Sequence, residues 1–307
     1  MNTALTHQRR SPRRSGDVIV LHTIGYFFVI VFSLMCLLPF LLIITSSLNS
    51  ESSIIRNGYS FTINDFSLAA YKLAFKSPQK ILWAYRNTIG ATVIGTTGAV
   101  LLASMTGFVL QRKDFTWRNG FSFFFFFTML FNGGLVPWYI LCVRYLGLKN
   151  NYLALILPML FSVWNMIIAK SFIRGIPFEI TESVMVDGGN DITIFFRIIL
   201  PMSKPLLATI GLFTALSYWN DWYNSMLFIN KDNLKSLQYF LNELLGSIQA
   251  MKLLATYDNP SALQGVTLPQ ESLKMAMTII TTGPILFLYP FVQKYFIKGL
   301  TIGAVKG

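Results

Sequence analysis

The chain has 307 residues, of which 53% are hydrophobic and only 12% are charged. Soluble globular chains carry about 25% charged residues, so this composition excludes a protein that faces water on every side. The formal net charge of +12 could suit nucleic acid, but the basic residues lie in short segments beside long apolar runs, as topology signals do in membrane proteins. The sequence therefore predicts an all-α integral membrane protein without a nucleic-acid partner.

Six apolar segments have about the 20 residues that a membrane-spanning helix needs. They lie at 23–46, 88–110, 120–140, 151–172, 205–228 and 272–293. A basic stretch with Arg9, Arg10, Arg13 and Arg14 precedes the first segment. It could begin a signal peptide, but the apolar run behind it is too long and no A-x-A site follows. We therefore expect an uncleaved first span, tails at 1–22 and 294–307, and a six-helix domain at 23–293.

The basic residues are distributed unevenly over the tails and loops. The two tails and the loops after the second and fourth spans hold 14 of the 25 Lys and Arg residues, although they are the shorter set. Loops rich in Lys and Arg stay on the cytoplasmic side of a membrane. We therefore expect both termini in the cytoplasm and the segment 229–271 outside.

The second span repeats a small residue at every fourth position, which places these residues on one face of a helix. They are Ala91, Gly95, Ala99, Ala103 and Gly107. Such a stripe lets the backbones of two helices approach closely in lipid. We therefore expect tight helix packing along this face.

The outer face is predicted to carry a helix break and a surface helix. The break is expected within the third span, at Asn132, Gly133, Gly134 and Pro137. The helix is expected in the external loop 229–271, where apolar residues keep helical spacing at Leu237, Leu241, Leu244, Ile248 and Met251. An amphipathic helix of this kind lies on the membrane or against a partner.

Motifs for catalysis or for nucleotide binding are missing from the sequence. It contains no G-x-x-x-x-G-K-[ST] phosphate loop, no H-E-x-x-H or G-x-S-x-G motif, and only two histidines. Carboxylates inside the spans, which mark proton or sodium relays, are scarce, and Asp221 near the outer end of the fifth span is the nearest candidate. We therefore expect no enzyme activity, cofactor or metal in this chain, and an energy source elsewhere.

The segment 177–200 combines carboxylates and glycines between two spans. Pro177 suits the first position of a helix, and Glu182 follows in its early turns, near the positive end of the helix dipole. Gly188 stands where a helix end needs a left-handed residue, and Gly189 extends the freedom to turn. The pattern predicts a helix that ends in a sharp glycine corner.

A second short helix is predicted after this corner, with Asn190 or Asp191 as its cap. Its apolar residues are spaced to form one face: Ile192, Phe195, Phe196 and Ile199. Pro201 and Pro205 are expected to end it and to lead into the fifth span. The two helices should be presented together on the cytoplasmic side.

The run E-S-V-x-x-D-G-G-x(5)-F-x(4)-L-P resembles the EAA loop of binding-protein-dependent ABC transporter permeases. The matching positions are Glu182, Asp187, Gly188, Phe195, Leu200 and Pro201. The chain departs from the alanines of the pattern E-A-A-x-x-D-G-A at Ser183, Val184 and Gly189. LGLKNNYLALILP (146–158), YWNDWYN (218–224) and QKYFIKGLTIGAVKG (293–307) are similar to the multiple-sugar branch of that family.

This resemblance implies a type I ABC importer (MetI-like) fold in a bacterial plasma membrane. It implies that the loop 173–204 docks as a coupling element on a cytoplasmic ATPase, where ATP and Mg are bound. The implied partners are a second, homologous permease, two ATP-binding subunits or domains, and an external solute-binding protein that is a lipoprotein. The implied function is to form half of a translocation pathway for oligosaccharides.

Two clusters pair aromatic rings with hydrogen-bonding side chains, as sugar sites do. One is Trp164 with Asn165; the other contains Tyr218, Trp219, Asn220, Asp221 and Trp222, followed by Tyr223 and Asn224. The second cluster suits sugar contact or an outer gate and equally an aromatic belt at the membrane interface. For the first, an Asn165 hydrogen bond between helices is favoured over a sugar site.

The sequence also allows three other functions. The chain could be a permease for another solute, such as a peptide or a polyamine. It could be an ion-coupled secondary transporter, although the sequence shows neither inverted repeats nor charged residues at the middle of the spans. It could also be a membrane scaffold that transports nothing.

Overall fold

The computed structural model of the protein describes residues 16–258 and 269–286, which form helices and no β-sheet. The basic residues of both predicted tails lie outside these ranges. The helices are α1 (Gly16–Ser47), α2 (Glu51–Asn57), α3 (Ala69–Ala74), α4 (Pro78–Gln111), α5 (Arg118–Leu130), α6 (Leu135–Ile140), α7 (Val163–Arg174), α8 (Phe178–Val186), α9 (Asp191–Met202), α10 (Lys204–Trp219), α11 (Tyr223–Phe228), α12 (Leu237–Asp258) and α13 (271–286).

Only two single helices in the described ranges are long and apolar enough to cross a membrane, over Val20–Ser47 and Pro78–Gln111. Three further pairs of helices are long and apolar enough only when each bent pair is counted as one unit, which is either a broken span or a re-entrant loop. They are Arg118–Leu130 with Leu135–Tyr145, bent by 112°, Tyr152–Met159 with Val163–Arg174, bent by 50°, and Asp191–Met202 with Lys204–Trp219, bent by 80°. The described residues therefore provide up to five spans. Part of the predicted sixth span, 287–293, lies outside them.

The fourth and fifth apolar segments are each divided into shorter helices. In the fourth, two short 3₁₀ turns come first, and α7 starts only after Ser162, whose Oγ accepts the Asn165 N–H at 3.4 Å. In the fifth, α10 ends at Trp219 and α11 begins at Tyr223. Both breaks arise because local polar side chains hold the backbone in turns. In the third span, the expected break is confirmed between α5 and α6.

The long helix α4 is the centre of the bundle, and α7 and α10 pack along it. Every member of the small-residue stripe on α4 is buried, so the predicted close packing is confirmed. A Cβ added at Gly95 would lie 2.3 Å from the Tyr218 ring, and one at Gly107 would lie 2.8 Å from the Lys170 backbone nitrogen. The stripe therefore leaves room for the two neighbouring helices.

The predicted surface helix of the segment 229–271 is present as α12, but it does not lie free. Its buried residues Leu237, Leu241 and Ile248 belong to one apolar cluster with residues of α3, α4 and α13, whereas Met251 is exposed. The expectation of a membrane surface or a partner under this stripe is therefore wrong, because the chain itself covers it.

Candidate functional site

Residues 177–200, called the corner loop below, begin with α8. Pro177 occupies the N-cap position and not the predicted first helical position. Glu179 lies in the first turn, and Glu182 is exposed one turn later. In residues 16–258 and 269–286, neither carboxylate makes an ion pair. Glu179 therefore lies at the positive end of the helix dipole, and both charges are available to a partner.

The corner itself is a Schellman motif, in which two successive N–H groups close the end of a helix. After Asp187, the Gly188 N–H donates to the Met185 carbonyl at 3.0 Å, and the Gly189 N–H donates to the Val184 carbonyl at 2.8 Å. Gly188 has a φ of +79°, which confirms the predicted left-handed conformation. The turn is thus fixed by backbone geometry that favours glycine.

The second helix of the loop, α9, starts at a polar cap. The Asn190 Oδ1 accepts the Thr193 backbone N–H at 2.9 Å, so the structure selects Asn190 from the two predicted caps. The helix ends at Met202, between the two prolines that were predicted to end it, and an 80° bend at Ser203 leads into α10. Pro201 lies in this last turn and is exposed, while Leu200 is half-buried.

The buried face of α9 differs from the predicted one. Residues 194–199 form a π-helical turn, which holds more residues per turn than an α-helix and therefore rotates the side chains. Phe195 and Ile199 are buried as expected, and Ile194 joins them. Ile192 and Phe196, which were predicted on the buried face, are exposed.

Two contacts fasten α9 to the end of α4. The Phe195 ring packs on Phe108 with 5.6 Å between centroids. The guanidinium of Arg112 binds both Asp114, with one Nε–Oδ1 distance of 2.9 Å, and Asp191 at the start of α9. Hydrogen bonds with Asp114 raise the pKa of Arg112, and the same bonds lower the pKa of Asp114. The corner loop is therefore held by packing and by charge together.

Apolar side chains project from the loop into solvent despite this anchoring. Val186 just before the corner is 82% exposed. Phe178, Ile192 and Phe196 are also exposed. Large apolar side chains gathered on one surface element are typical of sites where another protein docks. Together with the exposed carboxylates of Glu182 and Asp187, they form a surface that is apolar and acidic.

A cavity of about 500 Å³ lies between α7 and α10. Trp164 borders it and is 60% exposed, while the Asn165 Nδ2 donates to the Thr214 Oγ1 at 3.0 Å. The favoured expectation of an Asn165 hydrogen bond between helices is thus confirmed, although Asn165 also borders the cavity. The remaining lining residues are Met159, Phe161, Ser162, Phe213 and Ser217. Three aromatic rings and several hydroxyl groups therefore border one space.

The second aromatic cluster is divided between packing and surface. Tyr218 is buried and donates to the Ile156 carbonyl at 2.8 Å. Trp219 is also buried, and its Nε1 donates to the Thr281 carbonyl at 3.0 Å. These two rings stabilise the contact of α10 with its neighbours and face neither the cavity nor solvent.

The rest of that cluster forms the turn between α10 and α11. Asn220 is exposed, and its Oδ1 accepts the Gln238 Nε2 at 3.2 Å. Asp221 accepts both the backbone and the side-chain N–H of Asn224, each at 3.1 Å. Trp222 and Tyr223 are exposed. Only these two rings could form an aromatic belt or meet a ligand in this conformation.

Two functional residues were missed by sequence reasoning. Arg112 was counted only as a topology signal, although it anchors the corner loop. Glu51 is 5% exposed, and its carboxylate accepts the N–H groups of Glu271 and Ser272 at the start of α13. A carboxylate that caps a distant helix leaves no local signal. Among the described residues, no group of His, Cys, Asp and Glu could hold a metal ion.

Both of the relatives described here are named as permease proteins of transport systems. The chain is 37% identical over 282 residues to the polygalacturonan/rhamnogalacturonan transport system permease protein YtcP of Bacillus subtilis, covering 92% of this chain and 96% of the relative. It is 26% identical to the arabinooligosaccharides transport system permease protein AraQ of Halalkalibacterium halodurans, over 93% and 95% of the two chains. No family model matches the chain.

Among solved structures, the fold is similar to the crystal structure of a bacterial ABC transporter involved in the import of the acidic polysaccharide alginate. The TM-score is 0.74 at 26% sequence identity, and the match covers 93% of this chain and 100% of that chain.

Proposed function

Because the chain belongs to the permeases of carbohydrate-importing ABC transporters, we propose that it forms one half of an oligosaccharide pathway driven by a separate ATPase. The observation that carries this proposal is the corner loop, where a rigid Schellman turn presents exposed apolar and acidic side chains. Permeases of such importers work with an ATPase and a solute-binding protein. The corner loop supplies a preformed surface for the ATPase, which binds ATP and Mg.

A second, homologous permease completes the proposed pathway. The span Val20–Ser47 of α1 has none of its apolar core buried within this chain. A helix so exposed requires either lipid or another chain to cover it, and a paired permease would do so. The external binding protein, expected to be a lipoprotein, would deliver sugar to the opposite end of the bundle from the corner loop.

The proposed substrate is an oligosaccharide that passes the cavity between α7 and α10. Trp164 offers a ring face for sugar C–H groups, and Ser162, Asn165 and Ser217 offer hydrogen-bonding groups. The two relatives described above are named for polygalacturonan/rhamnogalacturonan and for arabinooligosaccharides, which supports a sugar over a peptide or polyamine.

Transport by the complete importer in proteoliposomes tests this function. Sugar uptake should require ATP and should stop when the partner ATPase is inactivated. Uptake that persists without ATPase activity but collapses with the ion gradient would instead identify a secondary transporter. Trp164→Ala should raise the sugar concentration needed for half-maximal uptake, whereas Trp117→Ala, which removes an exposed ring that borders neither this cavity nor the candidate aromatic cluster, serves as the aromatic control.

Labelling with a membrane-impermeant thiol reagent tests the orientation. Cys36 is exposed, so the experiment needs a Cys36→Ser background. Ser183→Cys, in the corner loop, should react only from the cytoplasm, and Asn57→Cys, at the other end of the bundle, only from outside. Labelling of Ser183→Cys in intact cells would contradict the proposed orientation.

A further inference from the structure

A second, larger cavity lies beside the corner loop and has no role in the function proposed above. Its volume is about 1140 Å³, more than twice that of the cavity between α7 and α10. The end of α4, the start of α5, the end of α7 and the segment 175–181 enclose it. It therefore lies where helices α4 and α7 leave the apolar part of the bundle.

Basic side chains dominate the polar lining of this cavity. Arg112, Lys113, Arg118, Lys170 and Arg174 border it, against only Asp114 and Glu179. Arg112 is already paired with Asp114. In the two described ranges, Arg118, Lys170 and Arg174 make no ion pair with a carboxylate.

These three unpaired cations are close neighbours. The positive charges of Arg118 and Arg174 both lie close enough to repel that of Lys170. Lys170 and Arg118 donate hydrogen bonds to different acceptors. The Lys170 Nζ donates to the Ser122 Oγ at 2.8 Å, and the Arg118 guanidinium donates to the Arg112 carbonyl at 3.3 Å. Arg118 and Lys170 are half-buried and Arg174 is exposed, and like charges held together at half-buried positions are unfavourable unless an anion neutralises them. The cavity therefore has the electrostatics of an anion site.

The opposite wall of the cavity is apolar. Its side chains are Phe108, Leu110, Ile173, Ile176, Met185 and Ile199. A small inorganic anion would satisfy the cations but would leave this wall facing water. An amphiphile with an anionic head and an apolar body would satisfy both surfaces at once.

We propose that this cavity binds the phosphate group of an anionic phospholipid from the cytoplasmic leaflet. Lys170 and Arg118 hold the phosphate oxygens, Arg174 contributes from the rim, and the glycerol and acyl portions cover the apolar wall. Basic pockets between helices at this membrane level suit anionic headgroups. The inference rests on the proposed function only for the assignment of the corner loop to the cytoplasmic side.

Native mass spectrometry of the whole importer, titrated with phosphatidylglycerol, tests the site. The Lys170→Gln/Arg118→Gln double variant should lose one tightly bound lipid, with affinity reduced about tenfold for each charge-assisted hydrogen bond removed. The matched control is Lys204→Gln, which removes an exposed charge outside the cavity. Lys170→Arg/Arg118→Lys keeps both charges and should retain the lipid, which separates charge loss from misfolding.

The outcomes distinguish the possible occupants. Unchanged lipid binding by the double variant would overturn the proposal, and so would displacement of the lipid by inorganic phosphate at comparable concentrations. Loss of the ATPase subunit with full lipid retention would assign these cations to the protein partner instead. Normal sugar uptake with no cavity-dependent lipid would contradict this inference alone, whereas retained lipid without ATP-driven uptake would contradict the proposed function alone.

Discussion

The two ends of α4 differ in whether the polar and charged side chains near them find partners within the chain. The helix has 34 residues and is therefore about 50 Å long. At its first end, Asn87 donates to the carbonyls of Asn233 and Lys235, and the Lys235 ammonium binds Asp232 at 2.7 Å. At its last end, Arg118 and Lys170 lack carboxylate partners among the described residues. One end is completed by the chain itself, and the other presents groups that an outside partner can use.

This contrast has a physical basis in how each end is covered. α12 and α13 close over the first end, and buried polar groups there must be paired within the chain because water is excluded. The corner loop extends beyond the last end and keeps Val186 and Phe178 exposed. Substitutions at the first end should therefore change stability, and substitutions at the last end should change coupling.

The largest effect on transport is expected from Gly188→Val in the corner loop. A left-handed backbone costs a residue other than glycine about 1–2 kcal/mol, and more when it is β-branched, so we expect coupled uptake to fall about tenfold or more. The measurement is sugar-stimulated ATP hydrolysis together with uptake in proteoliposomes. No atom lies within 4 Å of the added Cβ position, so Gly188→Asn, which tolerates this conformation, should stay close to wild type.

Gly58→Val provides the matched control at the other end of the bundle. Gly58 also has a positive φ, +72°, and open space around its Cβ position. Its substitution should lower thermal stability without changing the ratio of sugar transported to ATP hydrolysed. Equal uncoupling by both variants would remove the distinction between the two ends.

The largest effect on stability is expected at Glu51, near the first end of α4, which is called the self-contained end below. Glu51→Gln keeps the shape but replaces one acceptor oxygen by a donor facing the N–H groups at the start of α13. We expect the free energy of unfolding in detergent to fall by about 3 kcal/mol. Lys80→Gln is the control, because Lys80 and its partner Asp232 have side chains that are 45% and 44% exposed, and such surface pairs contribute about 1 kcal/mol or less. A stability loss no larger than the control's would contradict the assigned role of Glu51.

A smaller effect is expected at Arg112, which anchors the other end. Arg112→Gln should loosen α9 and reduce coupling a few-fold, because the pair with the exposed Asp191 contributes about 1 kcal/mol. The loss of coupling in the Arg112→Gln/Asp191→Asn double variant should be smaller than the sum of the two single losses, because both substitutions break the same contact. Fully additive losses in sugar-stimulated ATP hydrolysis would show that the contact does not transmit coupling.

The smallest effect concerns pH at the self-contained end. Hydrogen bonds from Lys235 and Lys80 lower the pKa of Asp232 to about 2. Because the folded pKa is depressed, the stability gained is fully present above the unfolded value of about 4 and is lost as pH falls towards the folded value. The side chain is 44% exposed, so we expect less than about 1 kcal/mol. Unfolding midpoints of wild type and Asp232→Asn should differ at neutral pH and converge in acid; a constant difference would contradict this.

The corner was predictable from the sequence because it depends on local properties. Gly188 needs no distant partner to take a positive φ, and the Asn190 cap reaches only to Thr193. The buried face of α9 was not predictable, because the π-helical turn accompanies packing of Phe195 on Phe108 from a distant segment. Periodicity assumes a regular helix, and tertiary contacts override it.

Tertiary and local hydrogen bonds also explain why the breaks in the spans and the packed rings of the aromatic cluster were not predicted. Composition identified the apolar segments, but the turn at Asp221 depends on hydrogen bonds to Asn224 that composition does not reveal. Tyr218 and Trp219 carry the residue types of a sugar site, yet they hydrogen-bond to backbone carbonyls of other segments. Residue type alone does not separate a ligand site from a packed ring.

The corner brings together two of the three positions at which this chain departs from the family pattern. The pattern has alanine where this chain has Val184 and Gly189. A Cβ at Gly189 would lie 2.5 Å from the Val184 Cγ1 and 2.8 Å from its carbonyl oxygen. The larger side chain on one side of the turn thus occupies the space that the missing methyl group leaves on the other. Volume exchange is only part of the constraint, because the carbonyl oxygen of residue 184 would still oppose a methyl group at position 189 if Val184 were alanine.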